Sequence, residues 1–217
     1  MRGSFYEQDH FARWLEVKDV ELNAALKAEE KFIAKRVHNG STLLDVGCGT
    51  GRLLEVLAKS LSRAVGIDYK KKMLDMAEKK LKGFHNIELL EANVYKIPFP
   101  DDSFDYVICT CNTFGNFDQP GVALDELLRV VKPNGEVILG VYSENALPVQ
   151  LRTYRAIGLI VDRYDSEKVK THEGLVSKRF SRATLEELAK AHGANAAIQD
   201  LTPIFRAVVL TKRGRSP

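Results

Sequence analysis

The segment "LLDVGCGTGRLL", residues 43–54, constrains the fold of this chain more than any other. Three glycines, Gly47, Gly49 and Gly51, alternate with other residues between two apolar runs. The run before them suits a buried strand, and the leucines after them recur at helical spacing. Glycine is used where the backbone takes positive φ or where another group touches it closely. The segment therefore predicts a strand-to-helix turn that faces a ligand.

Alternating strand and helix patterns extend from this turn through most of the chain. Strands separated by helices imply parallel βαβ units and an open, doubly wound α/β sheet. The last two strand patterns, at 195–201 and 205–213, are joined by too few residues for a crossover helix, so we expect them to be antiparallel to each other. The other predicted strands are 42–47, 64–68, 87–92, 104–110 and 136–143, and the predicted helices are 52–61, 71–81, 120–131 and 182–192.

Two segments fall outside this alternation. Residues 1–38 are predicted to be largely helical, with Asp19 capping a helix that ends at Asn39-Gly40. The apolar stripe of that helix consists of Leu22, Leu26, Ile33 and Val37. Residues 144–178 fit the pattern poorly and are interpreted as an insertion, whereas 132–135 have the composition of a turn. The whole chain, 1–217, is predicted to be a single domain.

Composition and charge exclude several classes of protein. The net charge of +3 is spread along the chain, and the basic runs at 70–72 and 211–217 are interpreted as solvated surface. No apolar run reaches membrane-spanning length, and the first residues lack the apolar core of a secretory signal, so we expect a cytoplasmic protein without a membrane partner. Three cysteines rule out a fully paired disulfide framework. Cys48, Cys109 and Cys111 are interpreted as small buried residues, the last two on one side of a strand, and no metal site is expected.

The residues around the glycines distinguish between two kinds of nucleotide ligand. Dinucleotide folds use G-x-G-x-x-G, but here Arg52 stands where the third glycine would fall. Asp45, just before the turn, would repel a pyrophosphate and suits an ammonium or sulfonium group instead. Asp68 ends the second predicted strand, 17 residues after Gly51. A carboxylate there either accepts hydrogen bonds from both ribose hydroxyls, which we favour, or caps the following helix.

Four segments together resemble the class I S-adenosylmethionine-dependent methyltransferases. "LLDVGCGTG" is similar to the first motif of that family, and "VGIDYKKKMLDMA" to its second. "ANVYKIPFPDDSFDYVIC" resembles the third motif and the fourth strand, and "LDELLRVVKPNGEVIL" resembles the next helix, turn and strand. The resemblance implies a Rossmann-like, mostly parallel seven-stranded sheet with an antiparallel last strand. It also implies S-adenosylmethionine as methyl donor and S-adenosylhomocysteine as product.

The resemblance further implies which residues surround the methionine part of the cofactor. An acid would lie beneath that part, the glycine turn would supply backbone contacts, and the end of the fourth strand would line it. These residues are Asp45, Gly47, Cys48, Gly49, Gly51, Cys111 and Asn112.

A second implied group surrounds the nucleoside. Asp68 would bind the ribose hydroxyls, and Tyr69 and Met73 would be apolar walls for the adenine. Asn93 stands where the family often has an aspartate and would accept a hydrogen bond from the adenine amino group. Val94 would offer its amide to a ring nitrogen of the adenine.

The sequence narrows the methyl acceptor without naming it. The segment "CNTFGNF" after the fourth strand lacks the proline-containing motif of exocyclic-amine nucleic-acid methyltransferases. No Pro-Cys pair of the pyrimidine C5 type occurs, and no carboxylate cluster of the metal-dependent catechol type follows that strand. The leading hypothesis is a small-molecule acceptor. A methyltransferase of RNA or protein, and a non-catalytic cofactor-binding subunit, stay open as alternatives.

No catalytic residue is assigned, because transfer from an activated donor needs alignment more than a general base. The candidate bases are His10, Tyr142, Glu144 and His172. Residues 1–38 are predicted to form a lid, and its aromatic residues are Phe5, Tyr6, Phe11 and Trp14. Residues 144–178 are predicted to form part of a pocket for a small acceptor, including an anionic one. The residues behind that prediction are Arg152, Tyr154, Arg155, Arg163 and Tyr164.

Overall fold

The structure is a computed structural model that describes residues 13, 14 and 16–214. Its helices are α1 (Val20–Arg36), α2 (Arg52–Leu57), α3 (Lys71–Lys80), α4 (Pro120–Val130), α5 (Leu147–Ala156) and α6 (Arg182–Ala191). Its strands are β1 (Thr42–Val46), β2 (Arg63–Asp68), β3 (Ile87–Glu91), β4 (Phe104–Cys109), β5 (Val131–Tyr142), β6 (Val161–Tyr164), β7 (Lys168–Thr171), β8 (Val176–Lys178), β9 (Ala194–Thr202) and β10 (Phe205–Lys212). None of the helices in this described part is long and apolar enough to cross a membrane.

The strands form one large and one small sheet. Within the described residues the large sheet has seven strands in the order β3-β2-β1-β4-β5-β10-β9. Strands β1 to β5 pair in parallel, and β10 runs antiparallel to both β5 and β9. The predicted doubly wound sheet with an antiparallel last strand is therefore confirmed. The strand order reverses between β1 and β4, and the carboxyl ends of these strands border the crevice in which such folds bind ligands.

Helices cover both faces of the large sheet. On one face α1, α2 and α3 bury residues such as Leu54 against Leu43 of β1. On the other face α4 and α6 bury residues such as Leu124 against Leu44 of β1. Successive residues of a strand point to opposite faces, so a strand covered on both sides is apolar at most of its positions. This double burial explains why Leu43, Leu44 and Val46 are apolar, whereas Asp45 between them is a buried carboxylate.

The first helix begins as predicted. Asp19 is its N-cap, and the Asp19 carboxylate accepts a hydrogen bond of 3.0 Å from the backbone N–H of Leu22. The helix ends at Arg36, before the predicted stop at Asn39-Gly40, because Val37 already has extended backbone angles. Its buried residues are Leu22, Ala25, Glu29 and Ile33.

Two local predictions are wrong. Residues 132–135 lie within β5, but the ladder with β4 passes from Val131 directly to Glu136, so the four residues between them bulge out of the sheet. Strand β4 ends at Cys109, and Cys111 has a positive φ of 55°. Cys111 therefore lies beyond the strand and does not continue the side of Cys109.

The segment 144–178 folds into helix α5 and the small sheet. Strands β6, β7 and β8 pair in antiparallel order. After β8 the chain returns to the large sheet, where the backbone N–H of Phe180 donates a hydrogen bond of 2.9 Å to the carbonyl oxygen of Tyr142. The small sheet is thereby fixed beside the carboxyl end of β5.

Candidate active site

The glycine turn is bonded to β2 through its own amides. The N–H groups of Gly47 and Cys48 both donate to the carbonyl oxygen of Ile67, at 2.8 and 3.0 Å. The N–H of Gly49 donates to Oδ2 of Asp68 at 3.0 Å. These amides are already satisfied inside the chain, so the turn offers them to no phosphate group. A ligand at the turn would meet its carbonyl oxygens and Cα atoms.

The glycines are needed for two different reasons. All three have positive φ, which residues with a Cβ rarely adopt. In addition, a Cβ at Gly47 would lie 2.5 Å from Cγ2 of Thr113, in the segment after β4. A Cβ at Gly51 would lie 2.7 Å from the side chain of Leu81, after α3. The first glycine thus lets the chain after β4 approach the turn, and the last lets α2 start against α3.

Asp45 carries a buried carboxylate immediately before the turn. The residue is 2% exposed, and its Oδ1 has no hydrogen-bond partner. Burial raises the pKa of Asp45 to about 7, against the positive charge of Arg52 and with the negative charges of Glu29 and Asp68. A buried acceptor without a donor is costly, which is typical of an atom that meets a ligand.

Asp68 joins the glycine turn to the start of α3. Its Oδ2 accepts from Gly49, and its Oδ1 accepts from the N–H of Lys70 at 2.9 Å. The N-cap of α3 is Lys70, so the helix-cap alternative for Asp68 is wrong. Burial raises the pKa of Asp68. The backbone N–H of Tyr69 also donates to this carboxylate. A carboxylate has about four lone-pair sites, so these three hydrogen bonds leave acceptor capacity for a hydroxyl group.

The residues expected around the nucleoside follow β2 and β3. Tyr69 is exposed, Met73 is half-buried and Val94 is buried. Asn93 is exposed, and its Oδ1 accepts a hydrogen bond of 2.9 Å from the N–H of Tyr95. The backbone N–H of Ala92 donates to the carbonyl oxygen of Asp68 at 3.1 Å, which holds the ends of β2 and β3 together. The residues predicted to surround the nucleoside thus follow the carboxyl ends of two neighbouring strands, β2 and β3.

A buried ion pair lies on the opposite side of the turn. Glu29 of α1 is 1% exposed, and its Oε2 is 2.9 Å from a guanidinium nitrogen of Arg52. Its Oε1 accepts a hydrogen bond of 3.0 Å from the N–H of Cys111. Burial raises the pKa of Glu29, and the charge of Arg52 opposes that rise. Burial also raises the pKa of the Cys111 thiol to about 12, so the thiol is protonated at neutral pH.

Asn112 is built into the scaffold. It is 1% exposed and has a positive φ of 59°. Its Nδ2 donates to Oγ of Ser177 at 3.0 Å and to the carbonyl oxygen of Lys178 at 3.2 Å. Its Oδ1 accepts from the N–H of Tyr142 at 2.9 Å. The side chain therefore connects the end of β4 to β5 and to β8. Because its amide is engaged in these hydrogen bonds, a ligand would contact the residues around Asn112 and not the amide itself.

The four candidate bases are not equivalent. Tyr142 is 2% exposed, its hydroxyl has no hydrogen-bond partner, and burial raises its pKa well above the usual range. Glu144 pairs with Arg206, and hydrogen bonds from that guanidinium lower its pKa. His172 is exposed in the small sheet's last turn. His10 lies outside the described residues. Tyr142 alone of the three described candidates lies at the carboxyl end of the sheet and is buried.

The N-terminal segment and the insertion pack against each other. Trp14, Leu22 and Ala25 share a buried cluster with Tyr142 and Tyr154. On the surface Arg152 pairs with Asp19 at 2.9 Å and with Glu21. Arg155, Arg163 and Tyr164 are exposed. Phe5, Tyr6 and Phe11 lie outside the described residues. A surface pocket also opens beside this contact, lined by Arg13, Glu16, Val17, Lys18, Asp19, Arg152 and Ala156, away from the glycine turn.

Comparisons with known proteins identify the family. A family model described as "Methyltransferase domain" matches residues 44–139. The demethylmenaquinone methyltransferase of Staphylococcus aureus (strain JH9) is 32% identical over 163 residues, which are 71% of this chain and 66% of that protein. The chain belongs to the class I S-adenosylmethionine-dependent methyltransferases.

Two further similarities concern a curated relative and a solved structure. The demethylmenaquinone methyltransferase of Bacillus licheniformis is 41% identical over 107 residues, 47% of this chain and 45% of that protein. The chain spans about half the length of the first curated relatives it matches. A solved 1,6-didemethyltoxoflavin-N1-methyltransferase from Burkholderia thailandensis has a TM-score of 0.72 at 15% identity, covering 98% of this chain and 87% of that one. This last likeness shows the shared fold.

The sequence analysis did not single out Glu29, which the structure pairs with Arg52 at the start of α2. A signal for it was present, because Glu29 falls on the apolar stripe of α1, where a charged residue needs a buried partner. Gly140 is a second missed signal, since a lone glycine inside a strand often marks a close approach. A Cβ at Gly140 would lie 1.7 Å from Oε1 of Glu29. Among the described residues, no group of three or more His, Cys, Asp and Glu could hold a metal ion.

Proposed function

We propose that this chain transfers the methyl group of S-adenosylmethionine to a small-molecule acceptor at the carboxyl ends of β1, β2, β4 and β5. The observation that carries the proposal is the buried Asp45 carboxylate, whose Oδ1 lacks a donor beside a glycine turn with satisfied amides. The carboxylates of Asp45 and Asp68 would repel a pyrophosphate. They would attract a cationic group of a ligand and accept hydrogen bonds from its hydroxyl groups.

The implied cofactor residues fit a nucleoside with a positively charged substituent. Asp45 would face the methionine part, and Asp68 would use its remaining lone pairs for the ribose hydroxyls. Tyr69 and Met73 would cover the adenine, while Asn93 and Val94 would read its edge. Gly47, Cys48, Gly49 and Gly51 would contact the methionine part through backbone atoms, and Cys111 and Asn112 would bound that end.

The chemistry asks little of the protein beyond alignment. The bound cofactor supplies an already activated methyl group. The residues of this chain hold the acceptor in line with it and exclude water. Burial raises the pKa of Tyr142 well above its usual value, so its hydroxyl stays protonated at neutral pH and cannot accept a proton as a general base. We therefore propose alignment without an assigned general base.

A small acceptor is favoured by the way the site is covered. Trp14 and the insertion residue Tyr154 belong to the same buried cluster as Tyr142 at the carboxyl end of β5, which supports this proposal. We propose that residues 1–38 act as a lid and 144–178 as part of the acceptor pocket of a single methyltransferase domain. The relatives named demethylmenaquinone methyltransferase make hydroxylated naphthalenes the first acceptors to test.

The cofactor half of the proposal is tested by calorimetry. We expect binding of S-adenosylmethionine and S-adenosylhomocysteine and poor binding of NAD. Asp68→Ala should weaken cofactor binding by about 1–3 kcal/mol, because the ribose hydroxyls lose a charged acceptor. It should also lower the free energy of unfolding by about 1 kcal/mol, since the amides of Gly49 and Lys70 lose their partner. The control is Asp75→Ala, which removes an exposed acid of α3. Tight NAD binding without a response to S-adenosylhomocysteine would refute the proposal.

The acceptor half is tested by methyl transfer from labelled S-adenosylmethionine. The acceptors are 1,4-dihydroxynaphthalene, a small-molecule extract, total RNA and total protein. Deleting residues 1–18 leaves the Asp19 cap of α1 in place, and should abolish transfer while only weakening cofactor binding. Label in RNA or protein alone would support the macromolecular alternative. Cofactor binding without any transfer would support a non-catalytic subunit, and full turnover after the deletion would refute the lid.

A further inference from the structure

Resting on the proposed cofactor site, we propose that Glu29 is a positioning residue of that site. It holds Arg52 and the chain after β4 in place, and it makes the site prefer the cationic cofactor S-adenosylmethionine over the uncharged thioether of S-adenosylhomocysteine. Glu29 lies on α1, outside the four segments that carry the family resemblance. Its role would connect the N-terminal helix to the cofactor.

Both carboxylate oxygens of Glu29 accept hydrogen bonds, and the thiol of Cys111 also donates to Oε2 at 3.5 Å. Oε1 accepts from the backbone N–H of Cys111 at 3.0 Å, and Oε2 accepts from a guanidinium nitrogen of Arg52 at 2.9 Å. The same guanidinium nitrogen lies 3.1 Å from Sγ of Cys111. Glu29, Arg52 and Cys111 therefore form one closed group between α1, the start of α2 and the end of β4.

The backbone around this group is shaped to admit the carboxylate. A Cβ at Gly140 would lie 1.7 Å from Oε1 of Glu29, so β5 has no side chain at the point where the carboxylate passes. Next to it, Cys111 and Asn112 both have positive φ, and the N–H of Asn112 donates to the carbonyl oxygen of Gly140 at 2.8 Å. Two successive left-handed residues other than glycine are strained and persist only where the surroundings hold them. The bond from Cys111 to Glu29 is one of those supports.

The charge of Glu29 also matters for the ligand. Arg52 has two carboxylate partners, the buried Glu29 and the half-exposed Glu30 at 3.3 Å. Removing the buried partner would leave the guanidinium charge partly unbalanced beside Asp45. Two buried charges interact more strongly than two exposed ones, because the effective dielectric constant around them is lower. A sulfonium group nearby would be repelled, whereas a thioether sulfur would not.

The test compares two substitutions that change the charge equally. Glu29→Gln keeps an oxygen that can accept from Cys111 but removes the buried charge, and Glu30→Gln removes the solvent-screened charge on the same guanidinium. By calorimetry we expect Glu29→Gln to weaken binding of S-adenosylmethionine about tenfold and of S-adenosylhomocysteine less than about threefold. Glu30→Gln should change both by less than about twofold. Equal weakening of the two ligands by Glu29→Gln, or none, would overturn the inference.

A second variant tests positioning without any change in charge. Gly140→Ala should displace the Glu29 carboxylate and weaken both ligands to a similar extent. In a Glu29→Ala background the same substitution should have a much smaller effect, because the clash is gone. Additive effects would contradict the inference. If the Glu29 variants do not fold, Gly140→Ala by itself still tests the inference, because unchanged binding of both ligands by that variant would contradict it. Failure of the unaltered chain to bind either ligand would refute the proposed function instead.

Discussion

Two regions of the site are built in opposite ways. The glycine-loop region, residues 43–96, joins β1, β2 and β3 by bonds between residues close in sequence. Gly49 and Asp68 are 19 residues apart, and Asp68 and Lys70 are two apart. The β4–β5 region comprises α1, the chain after β4 and residues 142–180. Its bonds join Glu29 to Cys111, 82 residues away, and Asn112 to Ser177, 65 residues away.

This difference explains what a sequence pattern can reveal. In the glycine-loop region the residues that contact each other also stand in one short pattern, so spacing alone indicates their roles. In the β4–β5 region no spacing links the contacting residues, because chain folding brings them together. The cofactor-binding residues that the family resemblance implies therefore lie mostly in the first region, and the sequence analysis did not predict the buried polar contacts of the second. Three substitutions test how separate the two regions are.

The largest effect is expected inside the β4–β5 region. Asn112→Ala should lower the free energy of unfolding by about 4 kcal/mol, because it strands the N–H of Tyr142 and removes two donated bonds at a left-handed position. Chemical denaturation measures this loss. The control is Asp102→Ala, at an exposed residue with φ 56°, where we expect less than about 1 kcal/mol. A loss at Asn112 no larger than the control would mean that this region does not depend on its distant bonds.

A somewhat smaller effect is expected where the two regions meet. Gly47→Ala should cost about 3 kcal/mol of stability, from backbone strain and from the clash with Thr113. Gly40→Ala is the control, because it has a similar positive φ of 82° and nothing within 4 Å of the added Cβ. It should cost about 1 kcal/mol. Thr113→Ala should restore part of the stability that Gly47→Ala loses. Equal losses at Gly47 and Gly40 would show that the contact with Thr113 does not limit the residue at position 47.

The smallest effect concerns the charge of the glycine-loop region. The pKa of Asp45 is raised to about 7, so the native chain retains a proton that the unfolded chain has released above its usual pKa of 3.8. The contribution of Asp45 to the free energy of unfolding therefore falls as the pH rises from 3.8 to about 7, and it is constant above that range. Asp45→Asn removes this dependence, and its advantage over the unaltered chain should grow by about 2 kcal/mol between about pH 5 and pH 7.

A control for Asp45 lies at the other end of the sheet. Although burial opposes it, hydrogen bonds from Lys132 and Thr42 lower the pKa of Asp105 to about 2. Its ionised form is thus stabilising above the usual pKa and lost as the pH falls toward 2, so Asp105→Asn should destabilise the chain at neutral pH. Urea unfolding across the pH range measures both variants. Slopes of the same sign would contradict the assignment of a buried, unpartnered acid to the glycine turn.

The fold was predictable from the sequence because its signals are local. The apolar runs on both sides of the glycines, the Asp19 cap and the short connection before Phe205 each depend on a few neighbouring residues. Where they erred, a longer-range effect decided the outcome. The turn composition of 132–135 became a bulge because β5 pairs with β4 on both sides of it. The strand pattern beyond Cys109 was interrupted by the left-handed pair at Cys111 and Asn112.

The sequence by itself determined the sheet, the family and the place of the glycine turn. These follow from hydrophobic period, chain direction and a short pattern of glycines and acids, all of which act over a few residues. Only the tertiary structure decided that Glu29 bonds to Cys111, that Asn112 bonds to Ser177 within the scaffold, and that Arg152 pairs with Asp19 on the surface. Burial makes the difference, because a charged or polar side chain must find partners wherever the packed chain places it.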